Sequence, residues 1–124
     1  MKKLKKVKFI PTGLYPVYIG FCNSEKSWKR LMKDMGIKTD TDFAVCGRCD
    51  QFDSSTGGLT IVISLNPKVF KKEPKYVAYS MLAHEAKHAH DAIMDHIKEF
   101  KRDGEVSAYT IDWIVREGAK AFKL

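Results

Sequence analysis

The chain has 124 residues, of which 44% are apolar and 30% are charged. That length supports one hydrophobic core and is too short for two, so we predict a single domain over residues 1–124. The formal net charge is +7, and much of it lies in the first eight residues and in the lysines between positions 71 and 75. No nucleic-acid-binding motif accompanies these lysines, so we expect a solvated basic surface and no nucleic-acid partner.

Neither a targeting segment nor a membrane span is evident. The first residues include lysines, but Pro11-Thr12-Gly13 interrupts the short apolar pair Phe9-Ile10, so no signal peptide follows. No stretch approaches the roughly 20 apolar residues of a membrane-spanning helix. Three cysteines, an odd number, do not suit a secreted disulfide framework. We therefore expect a cytoplasmic protein without a membrane partner.

Two short strands and one helix are predicted near the start of the chain. The strands cover Val7–Ile10 and Pro16–Phe21. Ser24 is a suitable N-cap for a helix that runs to about Met35, and Gly36 ends it. Apolar residues recur in this helix at the i, i+3, i+4 and i+7 positions, which are Trp28, Leu31, Met32 and Met35.

A β-hairpin is predicted in the middle of the chain. Residues Phe43–Phe52 have the composition of an extended segment. A turn of serine, threonine and glycine follows at positions 54–58. Leu59–Leu65, with the sequence LTIVISL, is the clearest strand of the chain, and the two segments together predict the hairpin.

Two helices are predicted in the last part of the chain. Pro74 suits the first turn of a long helix that runs to about Phe100. Its apolar stripe consists of Leu82, Ala86, Ala89, Ile93 and Ile97. Asp103 is the expected cap of the last helix. The predicted core face of that helix consists of Ala108, Ile111, Val115 and Phe122. The whole order predicts an α+β fold.

The long helix carries an H-E-x-x-H pattern from His84 to His88. Residues four apart lie on one helix face, so the two imidazoles can bind one zinc ion at about 2.0–2.1 Å. Glu85 lies roughly 100° around the helix from His84, where it can accept a proton from a metal-bound water. The pattern predicts His84 and His88 as zinc ligands and Glu85 as the catalytic base.

A third protein ligand is needed to complete a catalytic zinc site. Asp91 and Asp95 share the histidine face, but Asp91 lies about 10 Å along the helix axis from His84 and Asp95 lies further, so neither easily closes a tetrahedral site. We predict Glu105, at the start of the last helix, as the third ligand. The alternative is that Glu105 is a first-turn acid favoured by the helix dipole. Tyr109 is a candidate donor to the developing oxyanion.

These residues resemble a family of small zinc metallopeptidases encoded by tailed bacteriophages. The resemblance rests on Leu82–Ala86 with His88, on Gly104-Glu105 and on Ala108-Tyr109. The early segment Pro16–Cys22, followed by Ser24-Glu25-Lys26 and Trp28, is similar to the N-terminal part of that family.

The resemblance implies a minimal zincin-like fold of the gluzincin type. In this fold a small sheet with antiparallel strands packs on the HExxH helix and on a following ligand helix. It implies that Zn²⁺ is held by His84, His88 and Glu105 and that Glu85 is the base. The chain departs from the family pattern in two ways. The gap from His88 to Glu105 is short for a gluzincin, and Gly104-Glu105 runs almost directly into Ala108-Tyr109.

Two functions fit this site. The first is zinc-dependent hydrolysis of a peptide or protein substrate, which we expect to add as a strand along an edge of the hairpin, with Leu59–Leu65 as the candidate edge. The second is a non-catalytic, zinc-stabilised phage protein that docks a virion or host protein. The corresponding locations are the bacterial cytoplasm and the virion.

Other histidines and the cysteines are expected to lie outside the main site. Cys46 and Cys49 form a single C-x-x-C pair, and one pair with a distant Cys22 is a weak indication of a structural zinc. We expect Cys46 and Cys49 to be small packing residues of the hairpin and not metal ligands. His90 and His96 are expected at the surface, with His90 the nearer of the two to the cleft.

Overall fold

The computed structural model describes residues 8–11, 17–37, 47–53, 57–97 and 104–124. These residues form four strands and four helices. In chain order they are β1 (Lys8–Pro11), β2 (Val17–Cys22), α1 (Glu25–Asp34), β3 (Gly47–Asp53), β4 (Leu59–Leu65), α2 (Pro67–Phe70), α3 (Lys75–His96) and α4 (Glu105–Phe122). The predicted α+β class is confirmed.

The four strands form one mixed sheet in the order β1-β2-β4-β3. β2 and β4 are parallel, whereas β1 and β3 run antiparallel to their single neighbours. The predicted hairpin of β3 and β4 is confirmed. However, β4 lies between two other strands, so the expectation that Leu59–Leu65 offers a free edge is wrong. Among the described strands, the edge on this side of the sheet is β3.

Both faces of β4 are buried, which explains its almost continuous apolar sequence. Successive side chains of a strand point to opposite faces. Ile61 and Ile63 belong to the larger core, which includes residues of α3 and α4. Val62 belongs to a smaller core with Trp28 and Met32 of α1. The sheet therefore separates α1 from α3 and α4.

The first helix forms as predicted. The Ser24 side chain accepts a hydrogen bond from the Ser27 amide at 3.2 Å, and Trp28 and Met32 are buried. A short helix, α2, lies where a loop was expected after β4. Asn66 caps it by accepting a bond from the Lys68 amide at 3.0 Å, with proline in its first turn.

The long helix α3 buries the predicted residues Leu82, Ala86, Ala89 and Ile93 against the sheet. Ile97 is an exception because it follows the last helical residue and is 40% exposed. The described part of the helix ends at His96. The expected end at Phe100 and the expected cap Asp103 lie outside the described residues. None of the described helices is long and apolar enough to cross a membrane.

The last helix packs on α3 through small residues as well as large ones. Its buried residues are Ser107, Ile114, Gly118 and Phe122. Ile111 and Val115 pack against the core as predicted and are partly buried, whereas Ala108 is exposed. The prediction for Ala108 was wrong because the neighbouring Ser107 occupies the buried position. Apolar character alone does not distinguish two adjacent small residues.

Gly118 is the position of closest approach between α4 and the core. A Cβ atom at this position would lie 2.6 Å from Leu82 Cδ1 and 3.0 Å from Phe21 Cε1. The first distance is shorter than non-bonded carbon atoms adopt, so a side chain at residue 118 would force Leu82 or α4 to move.

We therefore expect Gly118→Ala to lower the free energy of unfolding by about 1–3 kcal/mol, which is the typical cost of overpacking a core. Urea denaturation measures this change. The loss should largely disappear in a Leu82→Ala background, because the atom that causes the clash is gone. An equal loss in both backgrounds would show that the clash with Leu82 is not its cause.

Candidate metal centre

His84 and His88 lie one turn apart on the exposed side of α3. Their Nε2 atoms are 3.3 Å apart, and the two rings are inclined at 75°. Two ligands about 2.0–2.1 Å from a tetrahedral zinc ion are separated by about 3.3–3.4 Å. The two nitrogens therefore have the spacing of two corners of a zinc tetrahedron. Without metal, the same distance lets one neutral ring donate a hydrogen bond to the other.

Glu85 occupies the flank of α3 that faces the edge strand. It is only 7% exposed, and its Oε1 atom is 3.9 Å from His84 Nε2. The first residue of β3, Gly47, lies directly above it, since an added Cβ there would be 3.4 Å from Glu85 Cγ and 3.0 Å from Leu65 Cδ2. A side chain at position 47 would therefore be crowded by Leu65 and would touch Glu85 at ordinary van der Waals distance.

The surroundings of Glu85 change its acidity. Burial raises the pKa of Glu85 above its ordinary value, the nearby imidazoles of His84 and His88 oppose that change, and the Asp50 carboxylate adds to it. A carboxylate with a raised pKa accepts a proton more readily near neutral pH, as a general base must.

A cleft of about 470 Å³ opens beside this residue, between α3 and β3. Glu85 and His88 both line it, and His84 lies at its side on the same helix face. The full lining consists of Arg48, Cys49, Gln51, Glu85, His88, Asp91, Ala92 and Asp95. In the described part of the chain β3 pairs only with β4. The cleft is therefore bordered by an edge strand on one side and by the HExxH helix on the other.

Glu105 is exposed at the first position of α4. Among the described residues, no group of three His, Cys, Asp or Glu side chains lies close enough to hold one metal ion. The structure thus brings His84 and His88 together without placing the Glu105 carboxylate beside them. Glu105 as third ligand remains a prediction.

The contact between Leu82 and Gly118 explains where Glu105 lies. If α3 and α4 are taken as antiparallel about this contact, the residue of α4 level with His88 is Asp112. Glu105 is seven residues earlier, which corresponds to about 10 Å along the helix pair. Tyr109 is 68% exposed and is not among the residues that line the cleft, so its proposed contact with substrate also remains a prediction.

His90 differs most from its expected position, since it is fully buried and not at the surface. Its Nδ1–H donates to Asp91 Oδ1 at 2.9 Å, and Nε2 has no hydrogen-bond partner among the described residues. The same Asp91 oxygen accepts from Lys87 Nζ at 2.6 Å. Desolvation raises the pKa of Asp91, but the hydrogen bonds and charges of Lys87 and His90 outweigh it and hold that pKa below its ordinary value.

Asp91→Ala is expected to lower the free energy of unfolding by about 1–3 kcal/mol, because it leaves a buried imidazole N–H without an acceptor. Lys87→Ala is the matched control. It removes the other partner of Asp91 and should cost at most about 0.5 kcal/mol, the range of an exposed helical ion pair. Urea denaturation of both metal-free variants measures the difference, and equal losses would contradict the assigned role of His90.

The two described cysteines point to opposite faces of the sheet. Cys22 packs with Trp28 and Val62, whereas Cys49 packs against the core on the α3 side and lines the cleft. Both are free thiols. Burial raises the pKa of Cys22 to about 11, and burial with the nearby Glu85 carboxylate raises that of Cys49 to about 12. Cys46 lies outside the described residues.

Because the sheet lies between their side chains, Cys22 and Cys49 are not placed to share one metal ion. The position of Cys49 in the cleft wall is the feature of this region that the sequence analysis missed. It follows from the alternation along β3, which puts residue 49 on the same face as Gly47 and therefore beside Glu85.

Comparison of the chain with protein-family models, with curated proteins and with solved structures found no match.

Proposed function

We propose that the chain is a zinc-dependent peptidase with a minimal zincin-like fold. The observation that carries the proposal is the 3.3 Å separation of His84 Nε2 and His88 Nε2, which suits two ligands of one tetrahedral zinc ion. The buried Glu85 carboxylate beside this pair supports it, because a purely structural zinc site does not need an acid at that position.

In this proposal each residue of the motif has a separate role. His84 and His88 would hold the ion, which would lower the pKa of a bound water and polarise a substrate carbonyl. Glu85 accepts the proton of the attacking water and passes it to the leaving amine. Its raised pKa and its position between α3 and β3 suit both transfers.

The proposed substrate is an extended peptide that pairs with β3. An edge strand has backbone groups available for a further strand, and peptides bind proteins in this way. The cleft between β3 and α3 would then receive a side chain of the substrate near Glu85 and His88.

We keep Glu105 as the proposed third ligand on the basis of the family resemblance. The distance along α4 requires its side chain, or the start of that helix, to approach His88 when metal binds. Asp95 is the comparison residue, because it lines the same cleft as His88 but lies far along α3 from His84. Zinc affinity of Glu105→Ala and Asp95→Ala distinguishes the two, since only loss of a true ligand weakens binding strongly.

The activity is tested by incubating the zinc-loaded protein with a proteome-derived peptide library and identifying new termini by mass spectrometry. Glu85→Gln protein, purified in the same way, controls for contaminating peptidases. We expect reproducible cleavage by the wild type only, and its loss on chelation. Cleavage that is equal in both preparations, or absent from both, would contradict the proposal.

A second candidate function is a non-catalytic, zinc-stabilised phage protein that binds a virion or host protein. The observation that favours it is the exposure of two large residues one turn apart on α4, Val106 at 72% and Tyr109 at 68%. Exposed apolar neighbours of this kind often mark a protein contact. In that case, Val106→Ser should weaken partner binding, whereas Glu85→Gln should leave it unchanged.

A further inference from the structure

A second cavity lies at the N-terminal end of α3, before the H-E-x-x-H motif in the middle of that helix. It has a volume of about 430 Å³, within the range of about 300–1,000 Å³ that is typical of small-molecule sites. Ala78, one of its lining residues, is seven residues before Glu85, which corresponds to about 10 Å along α3. The cavity and the cleft share no lining residue.

The topology of the sheet creates this cavity. β2 and β4 are adjacent and parallel, so their carboxyl ends lie side by side at the same end of the sheet. From there the chain continues through Asn23 and Ser24 to α1 on one face, and through Pro67 towards α3 on the other. The connections diverge, and a crevice remains between them. In open sheets with parallel strands, ligands bind in such a crevice at the carboxyl ends of the strands.

The floor of the cavity is apolar and already packed. Phe70, Ala78 and Phe122 line it, and each is at most 6% exposed. The rings of Phe70 and Phe122 are in edge contact, with centroids 6.4 Å apart, and Phe122 also contacts Phe21 at 5.8 Å. These mutual contacts hold the floor in place without a ligand.

The rim of the cavity is positively charged. Lys71, Lys75 and Lys123 line it together with a single acidic side chain, that of Glu73. None of the three lysines forms an ion pair in the described part of the chain, whereas Lys29, Lys87 and Lys120 each do. The first turn of α3, which includes Lys75, contains no acidic residue, so the positive end of its dipole adds to this potential.

We propose that this cavity binds a small amphipathic anion. Its apolar part would contact Phe70, Ala78 and Phe122, and its carboxylate or phosphate head would lie among Lys71, Lys75 and Lys123. The proposal does not depend on zinc or on peptidase activity, because it involves none of the residues of the cleft.

The test uses the metal-free, ¹⁵N-labelled protein titrated with octanoate below its micellar concentration. We expect saturable shifts centred on the amides of Phe70, Ala78 and Phe122, with little change from Glu85 to His88. Octylammonium, which has the same tail and the opposite charge, should bind at least about tenfold more weakly. Octyl phosphate in a parallel titration shows which anionic head is preferred.

Two double variants test the lysines. Lys71→Gln/Lys75→Gln should weaken octanoate binding by about 3- to 10-fold, as expected for partly exposed ion pairs. Lys26→Gln/Lys33→Gln removes the same net charge from the exposed side of α1 and should leave the affinity unchanged. Equal binding of octylammonium, equal weakening by both double variants, shifts centred on the cleft, or no saturable shift would each overturn the proposal.

Discussion

Replacing Glu85 with glutamine is expected to lower the rate of peptide cleavage by about 10²–10⁴-fold, the usual contribution of a general acid–base group. Glutamine preserves the size of the side chain between α3 and Gly47 but cannot accept the proton of the attacking water. His84 and His88 are unchanged, so zinc should still bind. The measurement is cleavage of the best peptide from the library screen, with the zinc content of both proteins determined in parallel.

The same substitution has a second consequence, which requires no substrate. A carboxyl group whose pKa is higher in the folded than in the unfolded chain stabilises the fold when the pH is below its pKa in the unfolded chain. That stabilisation is lost as the pH rises through its pKa in the folded chain. The pKa of Glu85 is raised from 4.5. Metal-free wild type should therefore lose stability relative to metal-free Glu85→Gln as the pH rises above about 4.5.

Urea denaturation of the two metal-free proteins between pH 4 and pH 7 measures this difference. A difference that stays constant over the range would show that Glu85 is not buried as described. Full cleavage activity in Glu85→Gln protein of verified sequence would show that another group is the base.

Removing zinc is expected to lower the free energy of unfolding by several kcal/mol. A ligand that binds only the folded chain stabilises it by about 4 kcal/mol when its free concentration is 1,000 times its Kd. The chelated protein should still unfold cooperatively, because Leu82, Ala86 and Ile93 pack against the sheet on the face of α3 away from the histidines. Thermal or urea denaturation with controlled free zinc measures the change.

His88→Ala and His96→Ala are the paired controls for this effect. His96 is a partly exposed histidine of the same helix outside the H-E-x-x-H pattern, so its replacement should leave zinc-dependent stabilisation intact. His88→Ala should abolish most of it. Equal stabilisation of both variants by zinc would place the metal elsewhere on the chain.

Local features of the sequence were sufficient to predict much of the fold. The cap formed by Ser24, the apolar spacing in α1 and α3, and the sequence of β4 each depend on residues close together in the chain. The hairpin of β3 and β4 is also local. By contrast, the parallel pairing of β2 with β4 joins segments about 40 residues apart, and no short-range pattern indicates it.

The candidate metal centre also has one part that local sequence predicts and another that depends on packing between elements. The spacing of His84 and His88 is fixed by helix geometry alone, so the sequence predicts it well. The position of Glu105 depends on how α4 packs along α3, where Gly118 lies close to Leu82. The burial of His90 likewise results from packing between elements, and a histidine in the sequence does not reveal it.

The most direct test of the zinc site is native mass spectrometry of protein incubated with zinc and then desalted. The account predicts one zinc per chain in the wild type, in Glu85→Gln and in His96→Ala, and none in the double variant His84→Ala/His88→Ala. Circular dichroism of the double variant verifies that it is folded. One zinc retained by the folded double variant, or none bound by the wild type, would contradict the central claim that these two histidines hold the metal.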